Sequence, residues 1–376
     1  MANISGGFIP GNLDSFRGKW YKWSIILGGV VMERNFLESL PGLLLPWYKE
    51  NRRDLPWRAD REPYHIWLSE IMLQQTRVEA VKGYYARFLE KLPDIESLAG
   101  CDDETLHKLW EGLGYYSRVR NLKRAAQVIM TEHGGTFPVQ YDQIRALPGI
   151  GDYTAGAVSS IAFGQPKAAV DGNVLRVLSR IRMDREPIDL PACKKRVQQE
   201  LEQVYPRSAA GEFTQALMEL GATVCLPNGE PKCGGCPCAS ICMGREHWRE
   251  LPVKLPKKGK RLEEKTVFIL QCDGRYAIEK RPDKGLLAGL WQFPNTEGNL
   301  SESDALRWAA AQGLQPRELE RRLDRNHIFT HIKWEMRGYY MQVDHPTDSF
   351  VWLTLDEIDT QAALPTAFRQ FREEIE

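Results

Sequence analysis

The chain has 376 residues, with 50 Lys and Arg balanced by 50 Asp and Glu and a 43% hydrophobic share. That length implies two or three domains of about 150 residues each, and that composition is of an ordinary soluble protein with a core. The best apolar run, Trp23 to Val31, is short and holds two glycines, too little to span a bilayer and a poor imitation of a signal peptide, so a cytoplasmic protein is expected.

Net charge is zero but unevenly spread. Residues 261–376 carry 15 Lys/Arg against 20 Asp/Glu, and the first 260 carry 35 against 30. A mildly basic body with an acidic tail permits DNA binding by the body without demanding it.

Residues 1–31 are glycine-rich and aperiodic, and are expected to form a disordered extension or to lie upstream of a true start at Met32. Leu37, Leu40, Leu44 and Trp47 then predict a helix over Glu38–Asn51, with Pro41 and Pro46 inside it. Arg53 to Arg58 turns the chain. A helix is predicted from Trp67 to Lys91, burying Ile71, Val78, Val81, Tyr85 and Phe88. Glu70 sits beside that stripe. It reads either as a solvated surface carboxylate or as a desolvated one held in its acid form. The polar run Gln74-Gln75-Thr76 in mid-helix suggests a wall facing a ligand.

Helices follow over Glu104–Glu111 and Ser117–His133, the second stopped by Gly134-Gly135. Between them, Leu113 and Tyr115 precede Arg118, Arg120, Lys123 and Arg124. That mixture suits wedging into and stacking on bases, or equally a helical elbow with buried aromatics. Leu147-Pro148-Gly149-Ile150-Gly151 cannot be helical inside. It reads as a tight turn opening a helix at Asp152–Ala162, with free N–H groups at Gly149, Gly151 and the helix start for an anion such as a phosphate. Tyr153 lies in that helix. Asp171 comes in Val170-Asp171-Gly172-Asn173-Val174, and its plainest reading is the N-cap of a helix over Val174–Ile181. Lys194–Val204 and Glu212–Cys225 complete a body, residues 32–249, with no convincing strand.

Cys225, Cys233, Cys236 and Cys242 are separated by seven, two and five residues, with Cys238 a fifth thiol in the same stretch. Cysteines this dense in a cytosolic-looking chain point to metal rather than disulfides. Four thiolates suit [4Fe–4S] or zinc, and spacing alone does not separate them. A connector over 246–264, rich in lysine and holding Pro252 and Pro256, leads to a different pattern. Thr266–Cys272 and Tyr276–Lys280 flank Asp273-Gly274 as a hairpin. Strands are predicted at His331–Val343 and Phe350–Leu353, and helices at Ser303–Gln312 and Thr366–Glu374. This is a separate α+β domain.

The glycine hairpin followed by Asp171 resembles the helix-hairpin-helix DNA glycosylases. With the four-cysteine loop added, the body resembles the endonuclease III superfamily, whose loop holds [4Fe–4S] at spacings of six, two and five. The extra residue in the first gap leaves Cys238 as an alternative ligand. Leu286-Leu287-Ala288-Gly289-Leu290-Trp291-Gln292-Phe293-Pro294 resembles the Nudix fold, but the stretch Asp304–Ala311 lacks that fold's paired glutamates for a divalent metal. The combination resembles the adenine DNA glycosylase (MutY) family over residues 33–376.

The resemblance implies a multidomain chain: an all-α helix-hairpin-helix glycosylase body with an iron–sulfur loop, plus a C-terminal α+β Nudix-like domain. Residues 32–60 and 166–245 would form the cluster-bearing helical domain, 61–165 the hairpin domain, and 265–376 an 8-oxoguanine recognition domain. It implies a monofunctional glycosylase of base excision repair, monomeric, carrying one [4Fe–4S] cluster and acting on double-stranded DNA with adenine opposite 8-oxoguanine. By position, Glu70 would be the general acid and Asp171 the carboxylate facing the sugar, with Asn173 beside it. Tyr153 stands where bifunctional relatives carry a lysine. Trp57, Arg58 and Gln215 fall at adenine-pocket positions. Gln75, Thr76, Leu113 and Tyr115 fall at positions beside the damaged base, and Thr330 where the family's tail reads Phe-Ser-His. A thymine–guanine mismatch glycosylase of the same superfamily is the runner-up. A non-catalytic DNA-binding module is the alternative from another class.

Overall fold

The computed structural model describes residues 23–27, 30–34, 36–256 and 259–375. The expected N-terminal extension falls largely outside these residues. Where its backbone is described, strand β1 (Trp23–Leu27) pairs antiparallel with β2 (Val30–Arg34), so the body is not wholly helical at its start. No helix among the described residues is long and apolar enough to cross a membrane.

Among the described residues, eleven α-helices follow in chain order: α1 (Leu40–Asn51), α2 (Pro63–Leu73), α3 (Val78–Lys91), α4 (Ile95–Gly100), α5 (Asp103–Leu109), α6 (Ser117–Glu132), α7 (Tyr141–Ala146), α8 (Asp152–Ile161), α9 (Gly172–Arg182), α10 (Pro191–Val204) and α11 (Ala210–Thr223). The single helix expected over 67–91 is two. Gln74-Gln75-Thr76 form the break, with Gln75 in the left-handed region at φ 57°. A strand signal was absent there, but so was any apolar residue to carry the stripe across.

The chain divides into two compact units. One holds residues up to Arg52 with Pro166–Lys254, the other Arg53–Gln165 with Leu255 onward. In the first, α1, α9, α10 and α11 enclose a core of Leu40, Leu44, Val174, Leu178, Leu201, Phe213, Leu217 and Leu220. In the second, the helical part packs Trp67, Phe88, Trp110, Val119 and Val158 out of solvent.

The C-terminal part of the second unit has strands β3 (Arg261–Cys272), β4 (Arg275–Lys280), β5 (Trp291–Gln292), β6 (Asn295–Glu297), β7 (Pro316–Ile328), β8 (Ile332–Val343) and β9 (Val351–Leu353), with helices α12 (Glu302–Ala311), α13 (Leu355–Gln361) and α14 (Thr366–Arg372). The sheet order is β5-β4-β3-β8-β7, with β6 beside β3 and β9 beside β4. β3 and β8 run parallel, Val267 opposite Gly338 and Phe268 opposite Tyr339. Both faces are covered, so β3 alternates between two cores. Val267 and Ile269 face Phe368 and Phe371. Phe268 and Leu270 face Ala305 and Ala309. β3 starts at Arg261, so the connector is shorter than the expected 246–264. The long strand β7 went unpredicted because it is an edge strand whose side chains are almost all exposed or half-exposed, leaving no apolar alternation to detect.

Candidate functional site

In the second unit, α7, the Leu147–Gly151 turn and α8 form the expected helical hairpin. Gly149 takes φ 77°. A Cβ at that position would lie 2.6 Å from Asn121 Cβ, so both conformation and space select glycine. Gly151 is the N-cap of α8 and no side chain caps that helix, which leaves its first N–H groups for an external anion.

α8 presents Tyr153 toward α2. The Tyr153 hydroxyl donates to Glu70 Oε2 at 2.5 Å. Glu70 is 6% exposed, among Trp67, Ile71 and Met72, all buried. The desolvated reading of Glu70 is therefore the one the fold supports, not the solvated one. Trp57 is buried and meets Tyr85 edge-to-face at 5.6 Å, while Arg58 Nη1 donates to the Arg53 carbonyl at 2.9 Å.

In the first unit, Asp171 is the N-cap of α9, as its local sequence suggested. Its Oδ1 accepts from Val174 N–H at 2.8 Å and its Oδ2 from Asn173 Nδ2 at 2.7 Å. A helix N-terminus and two donors favour the ionised carboxylate. Burial is the larger effect and pushes the Asp171 carboxyl above the usual carboxylate range. Asn173 is itself held, since its Oδ1 accepts from Arg176 Nη2 at 2.8 Å. Gln215, also in this unit, accepts from the Tyr48 hydroxyl at 3.0 Å.

Arg176 and Arg180 were missed by sequence reasoning, which takes helix arginines for solvated charges. Their spacing from Asn173, three and seven residues, was the available signal for one shared face. Arg176 Nε donates to the Cys225 carbonyl at 2.8 Å. Arg180 Nη1 approaches Cys225 Sγ at 3.3 Å. Cys225, Cys233, Cys236 and Cys242 line one cavity with Arg180 and Arg245. Cys238 is fully buried in the hydrophobic core of this unit and does not line that cavity. No group of three or more His, Cys, Asp or Glu side chains among the described residues is arranged to hold a single metal ion.

The expected DNA-facing residues divide. Gln75 and Thr76 lie in the α2–α3 break, Gln75 exposed. Tyr115 is 45% exposed, at φ 48°. Leu113 is only 7% exposed, so the structure buries the side chain expected as a wedge. Its backbone lies between two positive-φ glycines, Gly112 and Gly114, which turn it inward. Thr330, exposed, donates from Oγ1 to the Tyr115 hydroxyl at 3.3 Å.

The C-terminal part rests on the α5–α6 region through polar contacts. Glu111 Oε1 accepts from the Leu364 N–H at 2.9 Å and from the Arg369 guanidinium. Lys108 sits 2.7 Å from Glu111 Oε2. Arg120 Nη1 donates to the Ala288 carbonyl at 2.7 Å. On α12, where Nudix hydrolases carry metal-binding glutamates, Trp308 stacks on Phe268 at 3.7 Å.

A model of the HhH-GPD superfamily of base excision DNA repair proteins matches residues 68–207, and a NUDIX domain model matches residues 266–374. The adenine DNA glycosylase of Homo sapiens is 35% identical over 403 residues, covering 88% of this chain and 72% of that protein. The adenine DNA glycosylase of Buchnera aphidicola subsp. Baizongia pistaciae is 34% identical, covering 77% of this chain and 82% of that one. The solved structure of a thermostable thymine-DNA glycosylase aligns with a TM-score of 0.52 and 31% identity, covering 57% of this chain and 98% of that one. These relatives place the chain in base excision repair, as an enzyme that hydrolyses N-glycosidic bonds in DNA. Hairpin, buried glutamate, capping aspartate and Nudix-like C-terminal part stand together in a chain that belongs to the adenine DNA glycosylase family.

Proposed function

We propose that this chain removes adenine mispaired with 8-oxoguanine or guanine, by hydrolysis alone and without strand cleavage. The observation that carries this is the buried Glu70 carboxyl bonded to the Tyr153 hydroxyl. Adenine leaves poorly as an anion, and a carboxylic acid that protonates a ring nitrogen converts it into a neutral leaving group. Glu70 is that acid. Tyr153 donates to one of its oxygens and orients the carboxyl.

As the bond breaks, the sugar gains oxocarbenium character, which an ionised carboxylate stabilises. Asp171 supplies that charge, held by Val174 N–H and Asn173. Trp57, Arg58 and Gln215 each stand at a position that the family resemblance assigns to the extruded base, and extrusion costs a few kcal/mol of stacking and pairing. The backbone of Gly149, Gly151 and the α8 start takes a phosphate, and Gln75, Thr76 and Tyr115 lie beside the opposite base. Thr330 reads 8-oxoguanine. Tyr153 has no amine, so no Schiff base forms.

Cys225, Cys233, Cys236 and Cys242 fit a [4Fe–4S] cluster. They share one cavity, carry no competing carboxylate among its lining residues, and have Arg180 and Arg245 beside them to balance thiolate charge. When bound, the cluster would cross-link the 225–242 loop; we assign it no step in base release. The protein works as a monomer in the cytoplasm.

The second reading is thymine removal from a thymine–guanine mismatch, favoured by the likeness to the thymine-DNA glycosylase structure. Single-turnover base release from three duplexes separates the two: adenine opposite 8-oxoguanine, adenine opposite guanine, and thymine opposite guanine. Adenine release fastest opposite 8-oxoguanine is expected, with Thr330→Ala narrowing that preference. Thymine release alone would reverse the assignment.

A further inference from the structure

Arg118, the second residue of α6, is 9% exposed, and its two terminal nitrogens reach two separate segments of backbone. Nη1 donates to the carbonyls of Ile71, Met72 and Gln74 at 2.8, 3.0 and 2.7 Å. Nη2 donates to the carbonyls of Leu113 and Gly114, each at 3.1 Å, and to Thr76 Oγ1 at 3.4 Å. Each nitrogen has two protons for three oxygens, so the bonds are shared. The first group of acceptors lies at the C-terminal end of α2 and its cap, Gln74, where the helix dipole attracts a cation. The second group is the turn between α5 and α6 together with the Thr76 hydroxyl of the α2–α3 break.

Both segments hold a non-glycine residue in the left-handed region, Gln75 at φ 57° and Tyr115 at φ 48°. Such conformations persist only where the surroundings hold them. The Arg118 guanidinium also lies 5.5 Å from the Tyr115 ring centre and 5.3 Å from that of Trp110. Burial pushes this guanidinium down to about 10. A surface arginine would bear no such penalty, and an arginine kept only for solubility would not be placed here.

We propose that Arg118 is a positioning residue that locks segments 74–76 and 113–115 at one spacing, so that Gln75 and Tyr115 meet the duplex as a single rigid pair. The inference rests on the reading that these segments face the opened base pair. A planar fork spans both groups of oxygens. The single ammonium of a lysine is a point donor and cannot.

The test uses the full chain with Arg118→Lys and Arg118→Met. The duplexes carry 2-aminopurine in place of the target adenine, opposite 8-oxoguanine, so that unstacking is read as a fluorescence rise on binding. Adenine release is measured in parallel under single-turnover, saturating conditions. Arg118→Lys is expected to bind an undamaged duplex within about twofold of wild type, because the phosphate contacts are elsewhere. Its fluorescence rise per bound enzyme should fall severalfold, and adenine release should slow by about tenfold or more, as for a displaced positioning group. A wild-type rise and rate in Arg118→Lys would overturn the proposal. So would lowered thermal stability in both variants with an unchanged rise per active enzyme, since that marks a merely structural arginine. Failure of the wild-type chain to release adenine would sink the functional reading instead, and the fluorescence rise would still judge Arg118.

Discussion

Tyr153 Oη stands 2.5 Å from Glu70 Oε2, joining α8, the second helix of the hairpin, to α2. Base release should therefore depend on both residues, but unequally. Glu70→Gln removes the proton donor and should abolish release while leaving mismatch binding largely intact. Tyr153→Phe removes one hydrogen bond to an ionisable group, worth about 1.5–3 kcal/mol, and should slow release by roughly 10- to 100-fold. Single-turnover rates check this. An unaffected Glu70→Gln enzyme would remove that residue from its role.

Tyr153 offers no amine. Borohydride added during turnover should trap no efficient protein–DNA adduct with the wild-type chain, whereas a Schiff-base enzyme would be trapped. A strong adduct on a denaturing gel would contradict the monofunctional assignment.

Asp171 links activity to stability. Burial raises its carboxyl above the unfolded value, so the folded chain holds that proton more tightly than the unfolded one. The stability from this group is fully present below the unfolded pKa of about 3.9 and is lost as pH rises through the higher folded value. Asn at this position still accepts from Val174 N–H and carries no charge. Asp171→Asn should be inactive yet at least as stable as wild type at pH 7, with the difference closing on acidification below the unfolded value. Thermal melts from neutral to acidic pH check it. A large loss of stability at pH 7 would show that the capping carboxylate matters more than its burial.

The cysteines should separate by position. Cys236 lines the cavity and Cys238 lies in the core. Cys236→Ser should lose absorbance near 400 nm, on the order expected for an iron–sulfur chromophore, and destabilise the 225–242 loop. Cys238→Ala should keep that absorbance and cost about 1 kcal/mol from a small cavity. Retained absorbance in Cys236→Ser with loss in Cys238→Ala would exchange their roles.

Glu111 anchors the C-terminal part, with its side chain 8% exposed between Arg369 and Lys108. Glu111→Gln keeps an acceptor for the Leu364 N–H but removes the charge. We expect a loss of about 1–3 kcal/mol and a smaller preference for 8-oxoguanine over guanine, with adenine release opposite guanine nearly unchanged. Equal losses on both substrates would argue that the contact serves folding alone.

Sequence by itself determined the parts governed by local rules. Pro148 and Gly149 force a turn. Asp171 two residues before Asn173 makes a cap. Asp273-Gly274 between apolar runs makes a hairpin. Four cysteines in one short stretch end up around one cavity. Each depends on neighbours a few residues away, so their spacing is enough. Tertiary structure alone decided the rest. The charged strand β7 exists because β8 offers it an edge, not because its own residues alternate. Where the helix over 67–91 breaks, Arg118, over forty residues later, takes up the carbonyls that the break exposes. Burial of Cys238 and the Glu70 carboxyl depends on distant segments closing over them, and desolvation by remote neighbours leaves no mark in a local pattern.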